Sequence, residues 1–243
     1  MPLDLALQDA APRSTIADAV FDELRRAILE VRLPPGTRTS EAEVAKHLGV
    51  SRQPVREAFS RLARAGYLRI QPQKATEVVR ISPREVMHAL FLREALEIAV
   101  VRKAAERRDD AALDRLRAVM ALQVGAQQRD DRNAFQNHDD AFHLALAEAA
   151  DCSFAWPLID EQKAKMDRVR FLSLAFGQPA AVEDHGRIFA AIEARDPQAA
   201  EAAMHRHLAG ITAILTRLRR EFAPYFQDES PALPADDESH PHD

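Results

Sequence analysis

Residues 39–68 read "TSEAEVAKHLGVSRQPVREAFSRLARAGYL", and few backbones satisfy that order. Ser40 and Glu43 have the spacing of a capping box, in which the hydroxyl takes the third amide and the carboxylate returns to the cap amide. A short helix therefore starts here. Gly49 ends it, because glycine adopts the left-handed conformation of a helix C-terminus without steric cost. Ser51 is placed to cap a second helix, whose first turn tolerates Pro54. Val55, Ala58, Phe59 and Leu62 then recur at i, i+3, i+4 and i+7, so one face looks inward. The opposite face carries Arg52, Gln53, Arg56, Ser60 and Arg64. Gly66 stops the second helix.

A helix, a tight turn and a helix whose N-terminal half bears arginines form a helix-turn-helix, with the second helix suited to the major groove. Arginine matches guanine edges and glutamine matches adenine edges, so Arg52, Gln53 and Arg56 are candidates for reading bases. Ser51 and the helix N-terminus suit phosphate. The next segment, "YLRIQPQKATEVVRI" over residues 67–81, alternates on either side of "QPQKA" and reads as a hairpin. It would form a wing with Lys74 near its tip, close to the DNA backbone or minor groove. The alternative is a solvated basic helix on some other α-protein; caps, turn, basic face and wing together favour the DNA-reading module.

Charge agrees once it is divided along the chain. The whole carries −5, yet residues 1–80 hold 13 Lys and Arg against 10 Asp and Glu. The last sixteen residues, "DESPALPADDESHPHD", hold 6 acids and neither Lys nor Arg. Their few large apolar residues predict a disordered tail. Beyond Ser82-Pro83, a cap followed by a residue fitted to the first helical turn, the chain reads as helix after helix to about residue 222. We divide it into a flexible N-terminus (1–14), a DNA-binding domain of three helices and a wing (15–81), an all-helical domain (82–226) and the acidic tail (227–243). The fold class is mainly α. The opening residues have no basic region followed by an apolar stretch, and no run is long enough to span a bilayer. The single cysteine, Cys152, cannot form an internal disulfide. Both features point to a cytoplasmic protein that does not insert in a membrane.

The stretch "LPPGTRTSEAEVAKHLGVSRQPVREAFSRLARAGYLRI" resembles the winged helix-turn-helix of the GntR family of bacterial transcription regulators, over most of residues 15–81. Many members place glycine in the wing near Ala75, where this chain has "PQKATEV", so the wing's contacts are less transferable than those of the second helix.

The helical part holds polar residues in apolar company. On a helix over "NAFQNHDDAFHLALAEAA" (133–150), Phe135, Phe142, Leu146 and Ala149 define one face. Relative to Phe135, Asp139 falls at about 40° and His143 at about 80°, while Asp140 falls at about 140°, towards solvent. His138 lies at the other margin. An inward carboxylate is costly unless it is paired or coordinates a metal. His185 shares a face with Ile188, Phe189 and Ile192, and His207 aligns with Ala203, Met204, Ile211 and Ile214; His205 points the other way. Three histidines and one aspartate facing one core are compatible with a divalent transition metal (Zn, Ni, Fe or Mn), or with hydrogen-bonded core residues. Facing alone leaves both open.

"LREALEIAVVRKAA", "DDAFHLALAEAA" and "EDHGRIFAAIEARDPQAAEAAMHRHL" are similar to the FCD effector domain of the FadR-type subgroup, over roughly residues 84–220. The resemblance implies an antiparallel helical bundle with a metal, Zn foremost, held by Asp139, His143, His185 and His207. It also implies a small carboxylate effector beside the metal, with Arg93 in "LREALE" as a partner. The other reading of Arg93 is an intrahelical pair with Glu97. Arg168 and Arg170 in "KMDRVRFLSL" are further effector-binding candidates, against a solvated-face reading. Cys152 stands where the subgroup often has asparagine, and reads as a small buried residue.

The function expected is that of a ligand-responsive transcription regulator, foremost a repressor, which binds operator DNA as a homodimer because half-site symmetry mirrors dimer symmetry. The rivals are a metalloenzyme using the Asp/His set to activate water, and a regulator whose histidines are only structural. No general base accompanies the four candidate ligands, and an enzyme would leave the DNA module unexplained; no catalytic residues are assigned.

Overall fold

The computed structural model describes Leu5 and residues 15–71 and 75–228. The acidic tail from residue 229, most of the segment before residue 15, and Lys74, the residue expected near the wing tip, lie outside the described residues.

Three helices build the N-terminal part: α1 (Ile16–Leu29), α2 (Glu41–Leu48) and α3 (Arg52–Arg64). Thr15 and Asp18 form a capping box at α1, and Ser40 and Glu43 form the expected one at α2. Gly49 ends α2 at φ +68°, a left-handed conformation that glycine adopts without strain. Ser51 occupies the cap position of α3, but its side chain makes no capping hydrogen bond, contrary to expectation. Val20, Leu24, Ile28, Val44, Val55 and Phe59 close one core.

The wing has more strand than the sequence shows. Arg38–Thr39 (β1) joins Leu68–Arg69 (β2) and Thr76–Val78 (β3) in an antiparallel sheet of order β1-β3-β2. Arg38 faces Glu77 and Leu68 faces Val78 across the sheet. A strand of two residues is too short to show alternation, which is why β1 leaves no periodic signal.

The second part is helical throughout: α4 (Pro83–Arg107), α5 (Asp110–Gln128), α6 (Arg132–Ala149), α7 (Trp156–Ser173), α8 (Gln178–Glu193) and α9 (Pro197–Glu221). Ser82 caps α4 through the amide of Glu85, and Pro83 fills its first turn, as the sequence predicts. Short connections make α5–α6 and α8–α9 antiparallel hairpins, and α4 packs on α9, α7 and α6. Val101, Leu116, Phe142, Leu146, Ile188 and Met204 belong to the shared core. Cys152 is buried there with a free thiol.

Helix α7 is where the two parts meet. Tyr67 Oη donates to the Ala164 carbonyl at 3.4 Å, and Arg25 reaches Asp167 at 3.0 Å. Asn133 donates to Glu30 at 2.7 Å from α6. The chain end closes on the linker: the Gln227 amide donates to the Ile81 carbonyl at 2.8 Å. Ordered pairing therefore continues through Gln227, the first residue assigned to the tail from sequence.

Candidate functional site

Asp139 and His143 come from α6, His185 from α8 and His207 from α9, and one ligand atom from each lies within 4.8 Å of the others. The geometry thus gathers all four residues picked by helical facing. Asp139, His143 and His185 are buried, while His207 is half-buried at the wall of a cavity. His185 Nε2 stands 3.5 Å from Asp139 Oδ1. The rings of His185 and His207 have centroids 4.7 Å apart, and Phe142 stacks on His185 at 4.1 Å.

Other helices orient these ligands. Gln123 Oε1, from α5, bonds His185 Nδ1 at 2.8 Å, which turns Nε2 toward the cluster. Glu97, from α4, touches His143 Nδ1 closely, although the pair is not aligned as a well-directed hydrogen bond. On Asp139, Oδ2 receives Lys163 Nζ at 2.9 Å and Arg170 at 2.6 Å, leaving Oδ1 toward His185. Sequence spacing did not reveal Glu97, Gln123 or Lys163 in these roles.

Electrostatics leave the set ready to donate lone pairs. Burial drives the His185 pKa down to about 3, and it lowers those of His143 and His207 as well; the neighbouring His185 and His143 push His207 further down. Burial alone would raise the Asp139 pKa, yet the charges of Lys163 and Arg170 outweigh it and hold the carboxyl well below its usual range. Three neutral imidazoles and a carboxylate are the protonation states a transition metal requires. The Nε2 atoms of His143 and His185 are buried without a hydrogen-bond partner. An orphaned buried nitrogen normally costs stability, so two on one point fit a cation there.

Beside the cluster lies a cavity of about 270 Å³, with Arg93, Phe135, Asp139, Arg170, His207 and Ile211 among its walls. Arg93 makes the intrahelical pair with Glu97, at 2.7 Å, and also lines the cavity. Arg170 lines it too and is bound by Asp139, Asp140 and Asp167. Arg168 does not line it. It points to the domain junction, donating to the Val79 carbonyl and lying 6.0 Å from the Tyr67 ring centroid.

Asp140 departs from the solvent role expected of it. It accepts from Arg170 at 2.7 Å and pairs with Lys163 at 3.2 Å, because α7 packs over the margin where the helical period put Asp140 in water. His138 is half-buried outside the cluster, and exposed His205 bonds Glu94 at 2.6 Å.

On the DNA-reading side, Ser51, Arg52, Gln53 and Arg56 are all exposed at the N-terminal end of α3. Arg56 is held by Glu41 of α2 at 3.2 Å.

Comparison with known proteins decides the family. The model for bacterial regulatory proteins of the gntR family matches residues 16–78, and the FCD domain model matches residues 88–210. The chain belongs to the GntR family. This GntR protein is 37% identical over 220 residues to the HTH-type transcriptional repressor RspR of Escherichia coli (strain K12), covering 90% of this chain and 96% of RspR. It is 30% identical over 224 residues to the HTH-type transcriptional repressor NanR of Citrobacter rodentium, covering 83% and 85% of the two chains. The E. coli McbR/YncC structure shares its fold, with a TM-score of 0.67 at 24% identity over 84% of this chain and 98% of that one. The GntR protein is thus a transcription regulator and not an enzyme, with an N-terminal DNA-binding module and an FCD domain. No helix among its described residues is long and apolar enough to cross a membrane.

Proposed function

We propose that this GntR regulator is a cytoplasmic repressor that binds a near-palindromic operator as a homodimer and releases it when a carboxylate metabolite occupies the FCD cavity beside a bound metal. The observation that carries the reading is the pair of orphaned buried nitrogens, His143 Nε2 and His185 Nε2, turned toward Asp139 and His207 next to a cavity walled by Arg93 and Arg170. Zinc fits three imidazoles and a carboxylate best; nickel, iron and manganese are compatible. When bound, the ion supplies positive charge to a carboxylate oxygen of the effector. Arg93 and Arg170 supply charge-assisted hydrogen bonds to the same group. Repression accords with the names of RspR and NanR.

The DNA contacts fall to α3: Arg52, Gln53 and Arg56 toward base edges, Ser51 toward phosphate, and Lys74 toward the backbone beside the wing. Pairing of two copies has exposed apolar side chains to draw on, Met87, Phe91 and Leu92 of α4 among them. The domain limits that accompany this reading are 15–81 for DNA binding and 82–226 for sensing and dimerisation.

Elemental analysis of protein purified without chelator or metal-affinity resin tests the metal, with about one equivalent per chain expected. Less than half an equivalent after reconstitution would remove the metal from the reading. Sedimentation equilibrium tests the dimer. Selection from a random duplex pool tests the operator, and an inverted repeat is expected.

A further inference from the structure

The cavity has two unlike ends. Its deep end carries the buried side chains Arg93, Phe135, Asp139, Arg170 and Ser173 and, at the wall, His207. Toward the mouth, where the walls are half-buried or exposed, stand Leu174, Phe176, Ala181, Ile211 and Ile214. Ser173 and the other polar lining side chains already hold partners: Ser173 Oγ donates to the Arg170 carbonyl at 2.6 Å, Gln136 donates to Asp167 at 3.1 Å, and Asp184 accepts from Arg187 at 2.8 Å. Both cations that line the cavity lie at the deep end, and Asp184 is an acid. A second carboxylate would find no further cation there, and a hydroxylated body would set most of its groups against an apolar wall, which is costly.

Gly210 supplies an independent observation. It lies inside α9, lines the cavity, and is not among the glycines with positive φ. A Cβ built on it meets nothing within 4 Å. Neither backbone conformation nor neighbouring side chains require glycine there, yet glycine in a helix interior is destabilising relative to alanine. Its absent side chain leaves space at the cavity mouth.

We infer that the effector is a monocarboxylate with an apolar body: its carboxylate sits at the deep end between Arg93 and Arg170, and its hydrocarbon portion lies along Gly210 against Leu174, Phe176, Ile211 and Ile214. The inference rests on the reading of this cavity as the carboxylate-sensing site and names the class of acid it takes. A cavity of about 270 Å³ is at the small end for ligand sites, so the acid is a small metabolite.

The test is calorimetric titration of the full-length, zinc-loaded protein with acetate, gluconate and hexanoate. Acetate reports the anchor alone, gluconate adds a hydroxylated body, and hexanoate adds an apolar one. Hexanoate is expected to bind at least about tenfold more tightly than either of the others, since each buried methylene contributes substantially. Gly210→Phe should abolish that advantage and leave acetate affinity unchanged; Gly210→Ala, which stays helical, should reduce it in part. Gluconate matching or exceeding hexanoate overturns the apolar class and leaves the carboxylate site standing. A hexanoate advantage untouched by both Gly210 variants overturns the placement of the body. If none of the three acids binds, the carboxylate-sensing reading falls with it.

Discussion

Arg25 of α1 lies 3.0 Å from Oδ2 of Asp167, whose Oδ1 accepts from Arg170 at 2.9 Å. One carboxylate therefore joins the DNA-binding part to the wall of the effector cavity. Arg170 also holds Asp139 and Asp140, so an anion that draws on its guanidinium weakens its grip on Asp167. A ligand shifts an equilibrium only by interacting differently with the two states, and this shared carboxylate provides such a difference. Asp167→Asn should retain operator affinity within about threefold and reduce the effector-induced change by about tenfold, a coupling loss of ordinary size. Fluorescence anisotropy with and without effector reads both numbers.

The ligand-orienting contacts give a second prediction. Partners of metal-bound histidines fix tautomer and ring orientation, and removing one costs about 10–100-fold in metal affinity. Gln123→Ala should weaken zinc by that factor, because it frees His185 Nδ1. Glu97→Gln should do likewise and also release Arg93. Competition against a fluorescent chelator measures it; wild-type affinity in both variants would show that these contacts hold the apo fold alone.

The four candidate ligands were legible because helical period alone turns Asp139, His143, His185 and His207 inward. Their supporting residues were not. Glu97 is accounted for in sequence by Arg93 four residues earlier, and Lys163 sits in "DEQKAKMDR", which reads as a solvated face. Only the packing of α7 on α4 and α6 buries Lys163 and brings it to Asp139. The same packing moved Asp140 out of its expected place in solvent and sent Arg168 to the domain junction. Helix α3 was legible because the turn before it and its two faces are local, whereas the pairing of β1 with β3 is a tertiary event with two residues to announce it.

Acid should destabilise the metal-free protein. The His185 pKa is about 3 when folded and 6.5 as a free side chain. Between those values the unfolded chain binds the extra proton, so folding stability rises with pH across the window. The contribution is complete above about pH 6.5 and is lost as pH falls toward 3. His143 and His207 shift in the same direction and add to the slope. The thermal midpoint of the apo protein should therefore fall steadily from pH 7 to pH 5. His185→Gln should flatten that fall; an unchanged slope in the variant would mean His185 is not the proton acceptor.

Arg56 provides the sharpest test of DNA reading. Its guanidinium is held by Glu41 at 3.2 Å across the helix-turn-helix, which presents it on the exposed face of α3. Arg56→Ala should cost about 1–3 kcal/mol at the selected operator and relax preference at one base position, the behaviour of a base-edge contact. Ser51→Ala should instead weaken all duplexes by similar amounts, because a phosphate contact carries no sequence information. Glu41→Ala should leave Arg56 charged but less oriented, so specificity should drop more than total affinity. Binding measured on the operator and on single-base variants at fixed salt distinguishes these outcomes, since salt alone shifts every affinity together.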